Sequence, residues 1–135
     1  MSTPLINVDV DDLERGVQFY TRAFGLRTAR RLGKNVVELL GAPTPIYLIE
    51  KAEGSVAATG LSQRRDYARH WTPVHLDFVV HDIGAAITRA QEAGARIEGQ
   101  VRTANWGHIA HLSDPFAHGL CLIQFLGRGY DEIAE

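Results

Sequence analysis

The sequence repeats itself at an offset of about 70 residues, and this repeat constrains the fold more than any other feature. Four positions recur at an offset of 70, where Val10, Asp12, Leu13 and Val17 correspond to Val80, Asp82, Ile83 and Ile87. A later segment, residues 46–50, recurs at an offset of 74 as residues 120–124. Each copy then supplies one supersecondary unit, which changes the expected fold. The alternative is a chance likeness of two ordinary strand–helix starts, and the matches at both ends of each copy argue against it.

Each copy is predicted to have the element order β-α-β-β-β. In the first copy, alternating apolar residues at 5–10 indicate a half-buried strand, and a helix capped by Asp11 or Asp12 runs to about Phe24. Gly25 ends this helix, and strands follow at about 27–32, 35–40 and 45–50. The second copy has a strand at 74–80, a helix at 83–93 between Asp82 and Gly94, and strands near 97–103, 108–112 and 120–125. We predict an α+β fold in one domain, 1–135, with module 1 at about 4–50, a linker at about 51–73, module 2 at about 74–127 and a short acidic C-terminal tail.

Length, composition and charge argue against several kinds of site and partner. The chain has 135 residues, which suits one ordinary domain. Its single cysteine, Cys121, excludes an internal disulfide and every CxxC-type metal site. The net charge of −2 argues against general nucleic-acid binding. The acidic N-terminal segment lacks the apolar run of a signal peptide, and no stretch approaches the ~18 apolar residues of a membrane span, so we expect a cytoplasmic protein with no membrane or nucleic-acid partner.

Several longer stretches resemble the vicinal oxygen chelate superfamily, which includes glyoxalase I, bleomycin- and fosfomycin-resistance proteins and extradiol dioxygenases. The resemblance lies in residues 10–26, 75–80, 94–95, 106–107 and the turn at 114–119, and it covers nearly the whole chain. One departure is Ala117, where the family usually has Gly. The resemblance implies a single glyoxalase-like domain whose two βαβββ modules pair into a curved half-barrel cup. In the family the cup holds a divalent metal and a small organic ligand, and many members are dimers, so we expect a homodimer.

Strand alternation predicts which side chains line the cup, because successive residues of a strand face opposite sides of the sheet. In the first strand Ile6, Val8 and Val10 should face the helix, which leaves Leu5, Asn7 and Asp9 for the cup. In the first strand of module 2 the same argument leaves His75, Asp77 and Val79. Tyr47 and Cys121 share a face with Ile49 and Ile123, respectively. The predicted ligand-binding residues are Asn7, Asp9, Tyr47, His75, Asp77, Trp106, His111 and Cys121.

This sequence lacks most of the metal ligands that the family has. The resemblance places its ligands at Leu5, Tyr47, His75 and Cys121, and only His75 is an ordinary ligand there. Leucine cannot bind a metal, neutral tyrosine binds poorly, and cysteine favours zinc over iron, manganese or nickel. We therefore predict a degenerate metal site and no cofactor. The alternative is a divalent metal held by His75, with a shifted register that brings in Asn7 and either Glu50 or Glu38.

Several roles remain open at the other polar residues. His75 is the leading catalytic candidate, either as an acid/base pair with Asp77 through the substrate or as a hydrogen-bonded histidine without a catalytic role. Cys121 is either a nucleophile, if His75 or His111 lies beside it, or a buried apolar residue. Since His108 and His111 are three residues apart on a strand, at most one of them enters the cup.

Two aromatic features have more than one interpretation. Trp106 forms a wall of the ligand site or packs at its rim. The segment 64–71, with its arginines and aromatic residues, clamps an anionic or aromatic ligand, or is a solvated linker or a dimer contact.

The first functional hypothesis is a protein of this superfamily that binds a small organic molecule without the family metal. The second is a divalent-metal-dependent lyase, isomerase or dioxygenase of the same superfamily. The third is a non-catalytic interaction module.

Overall fold

Both copies of the repeat fold as the sequence predicts. The structure is a computed structural model that describes all residues from Met1 to Glu135. The chain divides into two compact units, Met1–Ala68 and Arg69–Glu135, and the boundary lies inside the predicted linker. The α+β fold class is confirmed, whereas the organisation of the chain as a single domain stays a prediction.

Module 1 consists of a four-stranded sheet and one helix. The elements are β1 (Ile6–Val10), α1 (Leu13–Phe24), β2 (Arg27–Arg31), β3 (Val36–Leu40) and β4 (Ile46–Glu50). The strand order is β1-β4-β3-β2, with β1 and β4 parallel and the other pairs antiparallel. The buried face of α1 consists of Leu13, Gly16, Phe19, Tyr20 and Ala23. It packs against the sheet face that carries Val10, Val37 and Leu48, all of which are fully buried.

Module 2 repeats this arrangement. The elements are β5 (Leu76–Val79), α2 (Ile83–Ala93), β6 (Arg96–Ala104), β7 (Gly107–Ser113) and β8 (Gly119–Phe125). The strand order is β5-β8-β7-β6, again with one parallel pair, β5 and β8. Strand β5 is shorter than the predicted segment 74–80, so His75 lies just before it. After β8 a 3₁₀-helix at Gly129–Glu132 forms much of the predicted acidic tail and packs Tyr130 against Phe125.

The repeat extends to the hydrogen bonds that begin each helix. Asp12 and Asp82 cap α1 and α2, each accepting a hydrogen bond from the backbone N–H three residues on. A second cap comes from the last strand of each module. The Glu50 carboxylate accepts the N–H of Leu13 at 2.9 Å, and the Gln124 amide oxygen accepts the N–H of Ile83 at 2.9 Å. These paired contacts place the strand and the helix of each module in the same relation.

The loop between the modules is ordered by its own contacts in the first unit. Its central residue is Arg65, whose guanidinium pairs with Asp9 at 2.6 Å and donates to the carbonyls of Val56 and Ala57. An isolated bridge joins Val56 to Arg64. Arg65 therefore holds the loop against β1, and Asp9, a predicted ligand residue, is engaged in that contact.

No helix of the structure has the length and apolar character needed to cross a membrane.

Candidate functional site

A row of four polar or polarisable side chains crosses the module 2 sheet. Strand register pairs Glu98 with His111, His111 with Cys121, and Cys121 with Asp77. Register partners on neighbouring strands point to the same face of a sheet. We call these four residues the module 2 row. It runs from a partly exposed edge at Glu98 through the buried Cys121 to the exposed Asp77.

His75 joins this row through a direct contact with Asp77. Its Nε2 atom lies 3.1 Å from Oδ1 of Asp77. The two residues are two apart in sequence, and their side chains are in direct contact. Both side chains remain accessible, at 42% and 37% exposure. An accessible imidazole paired with a carboxylate can exchange a proton with a bound molecule.

Cys121 is held as a neutral thiol at the centre of the row. Burial, and then the nearby Asp77 carboxylate, raise the pKa of Cys121 to about 12. A thiol is nucleophilic as its thiolate, so this environment works against the nucleophilic role. It favours the other interpretation, a buried thiol that contributes polarisable surface.

Trp71 is the main residue of this face that sequence reasoning did not place in the site. Its ring lies 5.4 Å from that of His75 and 5.2 Å from that of His111, centroid to centroid, edge to face in both cases. It also covers Gly119, where an added Cβ would overlap the indole. Glycine at 119 therefore leaves the space that the indole occupies beside β8. The only sequence signal was the mixture of arginines and aromatic residues at 64–71.

Residues 69–71, which we call the strap, are fastened to module 2 at several points. The Arg69 guanidinium lies 4.5 Å from the Trp71 ring and forms a two-pronged ion pair with Glu98. That ion pair lowers the pKa of Glu98. His70 forms an isolated parallel bridge with His118, and their imidazoles are hydrogen-bonded at 2.9 Å. Segment 64–71 is thus divided, since Arg65 contacts module 1 while the strap lies on module 2.

The corresponding face of module 1 carries a closed ionic network. Register pairs Asn7 with Tyr47 and Tyr47 with Glu38, and we call these three residues the module 1 row. The buried Glu38 carboxylate accepts hydrogen bonds from the Tyr47 hydroxyl at 2.8 Å and from Arg30 Nε and Nη2 at 2.8 and 2.7 Å. Arg30 chiefly, and then Tyr47, lower the pKa of Glu38 to about 2. The carboxylate in turn raises the pKa of Tyr47.

These contacts disfavour the alternative metal site, in which a shifted strand register would supply Glu38 or Glu50 as a ligand. Glu38 already accepts three hydrogen bonds, and Glu50 caps α1. Leu5, at the first family position, precedes β1 and is 57% exposed. Module 1 offers Asn7 as its one exposed polar member of the row.

The remaining predicted residues lie apart from the module 2 row. Trp106 packs against Tyr130, with ring centroids 5.2 Å apart, at the end of module 2 that carries the 3₁₀-helix. His108 contacts the Thr103 hydroxyl at 2.7 Å through Nδ1. His111 is therefore the member of the His108/His111 pair that shares a face with Cys121.

Three donors on module 2 are close enough to test as a metal site. One ligand atom each from His75, Asp77 and Cys121 lie within 4.8 Å of one another. Imidazole, carboxylate and thiolate are zinc ligand types, and a catalytic zinc commonly has three protein ligands and one open position. A dication beside Cys121 would favour the thiolate that burial otherwise disfavours. The donor set fits a divalent ion, while the absence of a cofactor stays a prediction.

Comparison with protein families and solved structures identifies the fold and its relatives. Residues 5–123 match the family model described as a glyoxalase-like domain. The chain belongs to the glyoxalase-like domain family. No curated protein matches the sequence. The predicted resemblance to the glyoxalase, bleomycin resistance and dioxygenase superfamily is confirmed.

Three solved structures illustrate how closely this glyoxalase-like chain follows the shared fold. A mutant of the fosfomycin resistance protein FosX from Listeria monocytogenes, complexed with Mn(II) and 1S,2S-dihydroxypropylphosphonic acid, is 16% identical, with TM-score 0.73 and 98% of each chain covered. A glyoxalase/bleomycin resistance protein/dioxygenase family enzyme from Burkholderia phytofirmans PsJN is 16% identical, with TM-score 0.69 and coverage of 90% of this chain and 97% of that one. Lactoylglutathione lyase from Agrobacterium tumefaciens is 19% identical, with TM-score 0.62 and coverage of 91% and 92%.

Proposed function

We propose that this glyoxalase-like protein binds a small organic molecule against the Trp71-covered face of module 2, without the complete metal site of its superfamily. The observation that carries the proposal is the placement of Trp71 in edge contact with two histidines and over Gly119. A half-buried aromatic ring beside accessible polar groups is the usual composition of a small-ligand site.

The side chains present favour a ligand with an aromatic ring and one hydrogen-bonding group. The Trp71 ring, with the Arg69 guanidinium 4.5 Å from its centroid, would form part of the wall against which another ring packs. The exposed His75–Asp77 pair supplies a hydrogen-bond donor and an acceptor. Cys121 and Ile123, both buried, supply the apolar floor of β8. His75 is the residue that we propose touches the polar group of the ligand.

A thermal-shift screen with small aromatic alcohols, carboxylates and amides tests the proposal. A ligand at a hundred times its dissociation constant adds about 2.7 kcal/mol to the stability of the native state by mass action. We expect hits whose stabilisation is lost in Trp71→Leu and His75→Gln and is kept in the control Trp106→Leu. Hits that are unaffected by the first two variants would place the ligand elsewhere. A library that gives no stabilisation would favour the interaction-module hypothesis.

A second candidate, a divalent-metal-dependent lyase, isomerase or dioxygenase, is favoured by the cluster of His75, Asp77 and Cys121. A bound ion would supply a Lewis acid that polarises a substrate oxygen. In that case His75 and Cys121 would be ligands, and Trp71 would exclude water from one side.

Metal content separates the two candidates. Elemental analysis of protein purified without chelators should show less than stoichiometric Zn, Mn, Fe or Ni if the first proposal holds. One metal per chain that is lost in both His75→Ala and Cys121→Ser, but kept in His108→Ala, would establish the second candidate.

The proposal includes a homodimer in the cytoplasm with no nucleic-acid partner. Strands β1 and β5 are edge strands of their sheets, and exposed edges need cover. Sedimentation should give twice the chain mass of 14.9 kDa, whereas a single 14.9 kDa species at micromolar concentration would contradict it.

A further inference from the structure

The strap that positions Trp71 is attached to module 2 by contacts that differ in their response to pH. Two backbone hydrogen bonds join it to the turn before β8: His70 N–H donates to the Ala117 carbonyl at 3.2 Å, and Gly119 N–H donates to the His70 carbonyl at 2.9 Å. Arg69 adds its ion pair with Glu98. Trp71 also hydrogen-bonds to Glu98 through its side chain. A further attachment is the imidazole pair, with His118 Nδ1 2.9 Å from His70 Nε2.

The imidazole pair depends on one nitrogen being without a proton. In an N–H···N hydrogen bond one ring donates and the other accepts, so the bond forms when both rings are neutral or when one is protonated. When both rings are protonated, both facing nitrogens carry hydrogen, and the bond is replaced by repulsion between two cations in contact. Imidazole ordinarily changes charge between about pH 5 and 8.

Three charged groups near the pair are Arg69, Glu98 and Asp114. Arg69 donates to the carbonyls of His70 and Ala117, so it places a permanent positive charge beside the two rings. Glu98 is engaged with that guanidinium. The buried Asp114 carboxylate accepts the backbone N–H groups of Phe116 and His118. The ring of Phe116, 6.4 Å from that of His118, adds an apolar neighbour.

The turn that carries His118 is closed by hydrogen bonds of its own. Of the two segments that the imidazole pair joins, the strap is therefore the one that we expect to move. Asp114 closes the turn through its side chain and through a backbone bond from its N–H to the His118 carbonyl at 3.0 Å. These contacts do not involve either imidazole. Repulsion between the rings therefore acts between this turn and the strap, on which His70 and Arg69 are exposed.

We propose that the His70–His118 pair is an acid-sensitive fastening of the strap, so that protonation of both rings releases residues 69–71 and moves Trp71 off Gly119. Release would remove the aromatic wall of the ligand site and expose the faces of His75 and His111 that the indole now covers. This inference concerns the regulation of the site and depends on the proposed function only for its effect on ligand binding. The movement itself can be measured without a ligand.

Acrylamide quenching of Trp71 fluorescence in the full-length Trp106→Phe variant measures the movement. The quenching constant reports access of acrylamide to the indole, so it is separable from intensity changes caused by protonation of His75 or His111. We expect the constant to rise about threefold between pH 7.5 and pH 5, since local opening exposes a half-buried ring. Far-UV circular dichroism should stay unchanged over this range.

Two variants in the same background decide whether the imidazole pair is responsible. His118→Asn keeps a neutral hydrogen-bonding group near the Nδ1 position and cannot become charged, so its quenching constant should stay low at pH 5. His118→Leu cannot form the bond and should give a higher constant than the parent at pH 7.5. The control His81→Asn, which changes an exposed histidine before α2, should behave as the parent.

A constant that does not change with pH in the parent would overturn the inference, and so would an equal acid response in His118→Asn. A ligand screen without hits would leave this result intact, since no ligand enters the measurement. Conversely, a hit whose affinity is independent of pH, together with a strap that does open, would show that Trp71 is not part of the ligand site.

Discussion

The two sheets of this glyoxalase-like chain share one backbone plan and differ in the chemistry of their central rows. In module 1 the row ends in Glu38, whose charge is compensated by Arg30 and whose remaining acceptor capacity is used by Tyr47. In module 2 the row carries Glu98, which pairs with Arg69 at the sheet edge, and His111, which Trp71 contacts, while Asp77 stays exposed beside His75. The two modules share the caps that fix each helix, while one row is a closed network and the other has accessible groups.

Exposure predicts that the polar side chains of module 2 would meet a small molecule more readily than those of the module 1 row. A ligand that approaches Glu38 must compete with three existing hydrogen bonds. A ligand that approaches His75 and Asp77 meets side chains that are 42% and 37% exposed, with one contact between them. The cost of rearrangement is therefore smaller on module 2, which is the physical basis for placing the site there.

The largest expected effect is on the rate at which the Cys121 thiol is alkylated. Cys121 occupies the position in module 2 that Tyr47 occupies in module 1. With its pKa raised to about 12, the thiolate fraction at pH 8 is lower by about 10³-fold than that of an unperturbed cysteine. Alkylation by iodoacetamide should be slowed by about that factor relative to the unfolded chain. Asp77→Asn removes one cause of the shift and should speed the reaction, whereas Asp131→Asn should not. Rapid alkylation of the native protein would show that the thiol is not held neutral.

The next largest effect is on the free energy of unfolding, and substitutions of two glycines in module 2 test it. Gly119→Ala forces a Cβ into the Trp71 indole and should lower the free energy of unfolding by about 1–3 kcal/mol. Gly84→Ala places a Cβ 3.5 Å from Asp82 Oδ1, an ordinary contact, and should raise it by about 0.5 kcal/mol through helix propensity. Urea denaturation measures both. Equal effects of the two substitutions would mean that Trp71 does not lie over β8.

The third effect distinguishes the networked carboxylate of the module 1 row from an exposed carboxylate of the same module by its dependence on pH. The pKa of Glu38 is lowered from 4.5 to about 2, so its contribution to stability is complete above about pH 4.5 and is lost as the pH falls toward 2. The melting-temperature difference between the wild type and Glu38→Gln should be largest near pH 7 and should shrink below pH 4.5. Glu14→Gln, which breaks an exposed pair with Arg31, should show a much smaller difference. A Glu38→Gln difference that is constant from pH 7 to pH 2 would contradict the network.

The sequence predicted the features that follow from the periodicity of helices and strands. It did not predict the contacts that depend on where a loop folds back. The repeat, the helix caps at Asp12 and Asp82 and the shared face of Asp77 and Cys121 follow from local patterns along regular elements. Trp71 and its place over Gly119 depend on how an irregular segment folds back, which no period encodes. Trp106, predicted in the site because it lies at a bend beside a glycine, contacts Tyr130, and its role in the site stays a prediction. The Arg65–Asp9 contact, 56 residues apart, is beyond local reasoning for the same reason.

The central claim is that ligand binds on module 2 at Trp71, and the indole N–H signals of the two tryptophans test it most directly. Protein labelled with ¹⁵N is titrated with the aromatic compound that most raises its melting temperature. The account predicts that the Trp71 indole and the backbone amides of His111 and Cys121 shift in proportion to occupancy, while Trp106, Glu38 and Tyr47 stay in place. Shifts at Trp106 or along the module 1 row, with Trp71 unmoved, would contradict it.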